Sequence, residues 1–363
     1  MQATVARRGR RAGPPVVAVT GAASGLGRAL VERLACCAEV TGLVGVVTNG
    51  AGVVTNGAGV DGVVWRSADV RDPLLSASFE GIDVVVHLAM TYDQAQDPTQ
   101  RRLVNVRGTS QVLEAARAAG VRRVVLVTSS DVYGSHPDGP VPLPDDAELR
   151  AEPDDGLVGD LVEVERLAQH SARAGLPVTV LRPAPVVGGP LGRAYDGALP
   201  RQLASTRLLA LRGVEPLWQL CHIEDLLGAL ELAVTGAITG IVPVACQGWL
   251  VQAAVEQLTG KRRLELPAAV ALSTAERLRR LGVTASSRPE LDRLVAPIVV
   301  DTVALRQAGW TPRWTNESAV RAYLATSPAS DSRSGAYTAA GATVALVGTA
   351  ALVRRARRRR RSL

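Results

Sequence analysis

The residues most suited to chemistry form a glycine-rich run, Thr20-Gly21-Ala22-Ala23-Ser24-Gly25-Leu26-Gly27. An apolar stretch, Val16 to Thr20, precedes it and a helical pattern follows. In such a strand-turn-helix unit Gly21 permits the tight turn and Gly25 lets backbone approach a pyrophosphate. Gly27 lets the helix pack closely on the strand. Ser24, Gly25 and Leu26 would offer the unpaired N–H groups and positive dipole end of the helix to the phosphates. The chemistry implied is dinucleotide binding. Other reactive side chains carry less. Cys36, Cys37, Cys221 and Cys246 lack metal-ligand spacing and read as small buried hydrophobes in a reducing compartment. His222 with Glu224 and Asp225 shows no third ligand, so no metal is expected, and His87 reads as a strand-end residue packing beside the cofactor.

These residues need elements to hold them. Val40–Val44, Val63–Arg66, Asp83–Leu88, Arg123–Thr128 and Val178–Arg182 read as strands. They alternate with helices over 26–38, 99–119 and 157–173. The order indicates βαβ units and a Rossmann-type, doubly wound parallel sheet, an α/β fold. The heptad Val-Val-Thr-Asn-Gly-Ala-Gly at 46–52 recurs unchanged at 53–59. Two copies cannot form a solenoid, and their Asn-Gly steps predict an enlarged loop or short hairpin. The expected organisation is a basic, unstructured arm at 1–13, a dinucleotide-binding domain at 14–182 and a smaller substrate lobe at 183–325 that can share part of the sheet. A linker at 326–336 and an apolar, Arg-rich tail at 337–363 follow.

Ordered motifs along 15–325 go further. Asp69-Val70 follows the third strand, and Asp83 to Ala89 forms the fourth with Leu88 and Ala89 at its end. Asn105-Val106-Arg107-Gly108-Thr109 lies in the next helix, and Thr128-Ser129-Ser130-Asp131-Val132-Tyr133-Gly134 ends the fifth strand. Leu181-Arg182-Pro183 runs on to Gly188-Gly189-Pro190, with His222-Ile223-Glu224-Asp225 and Ala308-Gly309-Trp310-Thr311-Pro312 beyond. This set resembles the NAD-dependent epimerase/dehydratase family, the extended group of the short-chain dehydrogenase/reductase superfamily. The resemblance implies NAD or NADP as cofactor, with Asp69 and Val70 at the adenine and Leu88 and Ala89 along the cofactor. It also implies Asn105 stabilising the sheet, Pro183 beneath the nicotinamide, Ser129 as the active-site serine and Tyr133 lining the substrate pocket. The glycine spacing is that of the shorter sister group. The second strand, read as ending Leu43-Val44-Gly45, offers neither an acid for NAD nor a base for NADP, so the preference between them is unreadable.

The family's proton-transferring Tyr and the Lys four residues later are missing. The resemblance places them at Leu157 and Leu161. The chain has one lysine, Lys261, and the residue four before it is Gln257. Four residues after Tyr92, Tyr133, Tyr195, Tyr323 and Tyr337 stand Gln96, Pro137, Leu199, Ser327 and Gly341. Leucine cannot exchange a proton. Asp160, in the same helix, is no evident replacement, and Ser129 alone is a poor acid or base. Loss of a positioned acid/base costs roughly 10²- to 10⁴-fold. Three readings follow: a cofactor-binding sensor, scaffold or partner subunit with little or no turnover; an oxidoreductase or epimerase on a nucleotide sugar or similar carbonyl with another acid/base; and a membrane-surface protein whose fold carries the tail. Aliphatic residues on the Leu157 helix could serve a homodimer interface.

The net charge is +7, yet seven arginines lie within Arg354–Arg361 and four within Arg7–Arg11. Such tails attract polyanions, anionic lipid included, and do not indicate a specific nucleic-acid site. No secretory leader is visible, and a cytoplasmic location is expected. Residues 337–353 are uncharged but short for a span and rich in Ala, Gly and Thr, so peripheral membrane contact is the expectation.

Overall fold

The computed structural model describes residues 4–5, 13–23, 25–48, 60–93, 96–151, 154–189, 198–205, 207–267, 293 and 296–326. Ser24, most of the duplicated loop (49–59) and the segment 327–363 lie outside the described residues.

Seven parallel strands form the central sheet: β1 (Val16–Thr20), β2 (Gly42–Val47), β3 (Val63–Ser67), β4 (Val84–His87), β5 (Arg123–Val127), β6 (Val178–Pro183) and β7 (Ile241–Val244). Their spatial order is β7-β6-β5-β4-β1-β2-β3. The chain winds outward both ways from β1 and β4, leaving a crevice at their carboxyl ends, where open α/β sheets bind ligands. The strands are Val-rich because both faces are covered. Val17 and Val19 face one layer with α1 (Gly25–Ala35) and α6 (Ile223–Thr235). Ala18 and Val85 face the other, with α3 (Gly108–Ala118) and α4 (Leu157–Arg173).

The strand-helix alternation predicted from sequence is present, and α4 has the predicted bounds. Three elements differ. Strand β2 runs on to Val47, because Val46 and Val47 of the first heptad copy extend a buried apolar run and Val46 pairs with Thr20. The helix predicted over 99–119 comprises α2 (Pro98–Arg102), a π-helical turn (Leu103–Arg107) and α3. Thr4–Val5 pairs antiparallel with Ile238–Thr239, so at these two residues the expected unstructured arm is a ladder. The seventh strand, β7, comes from the segment read as the second lobe, and so does α6, which packs with α1.

The smaller lobe has its own core of Leu199, Leu203, Trp218, Val255 and Val320. It includes α5 (Ala198–Ala204) and α7 (Gln252–Thr259); α8 (Val303–Gln307) instead buries Leu305 in the core that holds Val17 and Val19, and α9 (Asn316–Thr326) returns to the smaller lobe. Among the described residues no helix is long and apolar enough to cross a membrane.

Candidate cofactor crevice and its surroundings

Three glycines shape the turn after β1. Gly21 (φ 71°) and Gly25 (φ 56°) occupy the left-handed region, which disfavours any side chain. A Cβ on Gly21 would lie 2.8 Å from the Leu88–Ala89 backbone, and one on Gly27 only 2.1 Å from the Gly21 carbonyl oxygen. The turn is thus held against the end of β4, with the eleven-residue helix α1 opening from it. Gly21, Gly25, Leu26 and Gly27 of the turn lie beside Leu88 and Ala89 at the switch between β1 and β4. This cradle fits a pyrophosphate: the backbone is bare and N–H groups at the start of α1 lack helical acceptors.

A buried polar relay fixes the crevice floor. Thr20 Oγ1 accepts the N–H groups of Leu88 (3.2 Å) and Ala89 (3.3 Å) and lies 2.8 Å from His87 Nδ1. His87 Nε2 lies 3.1 Å from Thr109 Oγ1, which donates to the Asn105 carbonyl. Thr109 spends its hydroxyl hydrogen on the Asn105 carbonyl, so it accepts from Nε2–H, and the neutral ring leaves Nδ1 to accept from the Thr20 hydroxyl. Complete burial pushes its pKa down to about 4. His87 is therefore a neutral tie between β1, β4 and α3.

Asn105, in the π turn, binds the loop after β4 twice: Oδ1 accepts from Thr91 N and Nδ2 donates to Thr91 O, both at 2.9 Å. Val70 packs beneath α3, its Cγ2 3.0 Å from where a Gly108 Cβ would stand. Asp69, half exposed, is paired with Arg71, whose hydrogen bonds hold its carboxyl below the usual range.

Ser129 caps the short turn Ser130–Tyr133, accepting from Asp131 N at 3.1 Å and donating to Asp131 Oδ2 at 3.0 Å. Asp131 in turn accepts from Arg293 Nε at 2.6 Å, and Arg293 Nη2 donates to Ser130 Oγ at 3.0 Å. The sequence reading missed Asp131 and Arg293 as site residues. Asp131 lay inside a quoted motif, whereas Arg293 is 162 positions away and carries no local signal.

The helix residues to which the resemblance assigns the Tyr and Lys lie in an apolar cluster. Leu157 and Leu161 are buried with Val132, Val158 and Val162 in an apolar cluster flanked by Met90, Tyr92, Leu149 and Ala151. Their side chains are covered by their own chain, which removes them from the dimer interface suggested by sequence. Asp160 is 1% exposed and ion-paired with Arg101 (2.8 Å) and Arg102 (3.3 Å). It pins α4 to α2 and is not a replacement acid. Lys261 donates its Nζ to the Leu203 carbonyl in the smaller lobe.

Tyr133 is 1% exposed with its ring 4.6 Å from the Arg182 guanidinium carbon, and burial raises its pKa. Arg182 makes a bidentate pair with Glu165, which also accepts from Thr128 Oγ1 at 2.7 Å. Tyr133 thus stands in a buried ionic cluster rather than on open substrate-facing surface. Pro183 ends β6, paired with Val244.

His222 and the late motif prove to be one structural unit. The His222 ring stacks on Trp314 at 3.6 Å and its Nδ1 caps α6 by accepting from Glu224 N. Asp225 accepts from Arg313 N (2.8 Å) and Trp314 N (3.1 Å), and Trp310 Nε1 donates to the Asp225 carbonyl. A Cβ on Gly188 would strike the His222 ring at 2.2 Å, which accounts for the glycine there. Among the described residues no group of three His, Cys, Asp or Glu side chains could hold a metal ion. Cys221 and Cys246 are buried as expected, but Cys36 is exposed, because α1 ends at Ala35 and places it on the following turn.

Comparison with known proteins agrees with this architecture. A protein of Mycobacterium tuberculosis, itself uncharacterized, is 30% identical over 320 residues, 86% of this chain and 84% of its own. The 3-diazoavenalumate denitrifying reductase of a Streptomyces species is 35% identical over 194 residues, 51% of this chain and 62% of its own. Among solved structures, the UDP-glucose 4-epimerase of Thermotoga maritima has a TM-score of 0.64 at 18% identity, spanning 85% of this chain and 97% of that one. The dTDP-glucose 4,6-dehydratase of Bacillus anthracis, solved with NAD, has 0.63 at 14% identity, spanning 86% and 96%; both likenesses are of fold. The profile of the NAD dependent epimerase/dehydratase family matches residues 17–242, and with the crevice, the glycine turn and the ordered motifs in place, this chain belongs to that family.

Proposed function

We propose that this chain binds NAD or NADP in the Gly21–Gly27 turn and transfers hydride slowly or not at all, acting as a sensor, scaffold or partner subunit. One observation carries the reading: buried leucines stand where the family's resemblance puts its Tyr and Lys. The cradle fits a dinucleotide by its bare backbone, and NAD accompanies several solved relatives. Gly21, Gly25, Leu26 and Gly27 would hold the pyrophosphate, with Asp69 and Val70 at the adenine end, Leu88 and Ala89 alongside, and Pro183 under the nicotinamide. When bound, the cofactor supplies a hydride donor or acceptor. This chain's residues supply orientation and exclude water; Leu157 and Leu161 move no proton.

The test is a titration of the purified chain with NADH and NADPH, followed by fluorescence, together with a turnover assay on UDP-glucose. Cofactor binding without turnover supports the proposal. Absence of binding overturns its first half, and rapid hydride transfer its second.

A second reading, catalysis on a nucleotide sugar or similar carbonyl, is favoured by the carboxylate of Asp131 lying 3.0 Å from Ser129 Oγ, where it can take a proton from that hydroxyl. Loss of turnover in Asp131→Asn with cofactor affinity retained would establish it. The remaining partner readings are a homodimer through outward residues of α3 and α4, checked by sedimentation equilibrium, and a cytoplasmic chain whose arginine tail touches anionic membrane.

A further inference from the structure

A second cavity lies away from the cofactor crevice, at the β6–β7 edge of the sheet. It has a volume of about 310 Å³ and is enclosed by β6, β7, α4 and the loop 145–149. Strands β5 and β4 stand between β6 and the strand that carries the glycine turn. Its size is that of a small-molecule pocket, roughly 300 Å³ at the lower bound.

Its inner wall leaves polar groups unsatisfied. Arg182, 1% exposed, lines the cavity, and its Nη1 has no hydrogen-bond partner although Nε and Nη2 are taken by Glu165. Asp145 also lines it: Oδ2 accepts from Ala304 N at 2.8 Å, while Oδ1 is buried without a partner. Tyr133, whose ring lies 4.6 Å from the Arg182 guanidinium carbon, stands behind Arg182 and is not a lining residue. Buried polar atoms without partners are rare, because each forfeits its hydration. A donor on Arg182 and an acceptor on Asp145, both on lining residues, call for an occupant.

The charges select its chemistry. Glu165 neutralises Arg182, so the inner wall offers donors with little net charge. Asp145 adds an unneutralised carboxylate, and the exposed rim adds Asp146 and Glu148 against one arginine, Arg166, which is paired with Glu163. Carboxylate acceptors thus share one cavity with a guanidinium donor. A simple anion would face the carboxylates, and a bare alkylamine would leave Arg182 Nη1 unmet. We propose that this cavity is a second ligand site for a hydroxylated primary amine of about hexosamine size, its ammonium on Asp145 Oδ1 and a hydroxyl oxygen on Arg182 Nη1. Nothing in the site depends on the cofactor reading.

The experiment is calorimetric titration of the full chain with glucosamine, and with glucose as the uncharged analogue, each repeated with NADH titrated separately. Glucosamine is expected to bind at least about tenfold more tightly than glucose, the increment of one charge-assisted contact. Asp145→Asn keeps an oxygen for the Ala304 N–H and is expected to lose that preference. Ala147→Leu, which adds bulk to the lining while leaving Asp145 and Arg182 in place, is expected to abolish binding of both sugars while NADH binding is unchanged. Equal binding of the two sugars, no glucosamine heat in a folded chain, or glucosamine binding that survives Ala147→Leu would overturn the proposal; the second outcome means that water alone fills the cavity.

Discussion

At the scale of single residues, the clearest constraint is the 2.1 Å separating a Gly27 Cβ from the Gly21 carbonyl oxygen. The oxygen is backbone and cannot swing aside as a side chain would, so Gly27→Ala must push the start of α1 off β1. Overpacking of this kind costs about 1–3 kcal/mol. It also displaces the phosphate-facing N–H groups. NADH affinity measured by fluorescence is expected to fall at least about tenfold, or ~1.4 kcal/mol, with circular dichroism still showing a folded chain. His87 gives a prediction of a different kind. Its ring is neutral when folded, with a pKa of about 4 against 6.5 in the unfolded chain. Between those values the unfolded chain binds the extra proton, so stability is fully present above pH 6.5 and falls as pH drops toward 4. The difference corresponds to about 3 kcal/mol. Urea unfolding of the parent chain and of His87→Gln at pH 7 and pH 4.5 checks this. The substituted chain should be less stable at pH 7 but show a shallower loss on acidification. An identical loss in both would place the acid sensitivity elsewhere.

At the scale of elements, α4 is held by two buried ion pairs and one apolar seam. Glu165 joins it to β6 through Arg182, and Asp160 joins it to α2 through Arg101. Glu165→Gln leaves a guanidinium buried without its counter-charge, and breaking such a pair costs about 3–5 kcal/mol. Leu161→Ala opens a cavity in the apolar cluster and is expected to cost about 2–5 kcal/mol, while NADH affinity stays unchanged because Leu161 touches no part of the glycine turn. Thermal unfolding of both variants checks these values. Six of the seven strands, α4 and the glycine turn were legible because period, length and Gly placement are local properties, whereas β7 lies in a stretch whose looser pattern gave no strand signal. The extension of β2 through Val47 was not, since a repeat with Asn-Gly steps suggests a loop until the pairing of Val46 with Thr20 is known. Neither the fixed tautomer of His87 nor the link from Arg293 to Asp131 was legible, because each depends on residues tens or hundreds of positions apart that only the fold brings together. The late Gly309-Trp310 motif was visible as a motif, but its partner, Asp225, was not visible as such.

At the scale of the molecule, the positive charge is concentrated near the two ends of the sequence. The glycine turn, the Ser129 network and the second cavity are all built from residues before 327, whereas seven of the arginines are carried within Arg354–Arg361. The two parts should therefore separate functionally. A chain ending at residue 326 is expected to keep its melting temperature and its NADH affinity, since none of the contacts described above involves a later residue. It is also expected to lose cosedimentation with phosphatidylserine vesicles. Each basic residue near an anionic surface contributes about 1 kcal/mol at low ionic strength, so the full chain should bind such vesicles in dilute salt and release them as salt rises. Neutral phosphatidylcholine vesicles distinguish the two parts of the tail. If the full chain binds them as well and salt does not reverse it, the uncharged stretch 337–353 rather than the arginines makes the contact. If the shortened chain still binds anionic vesicles, the membrane surface must lie on the folded domain.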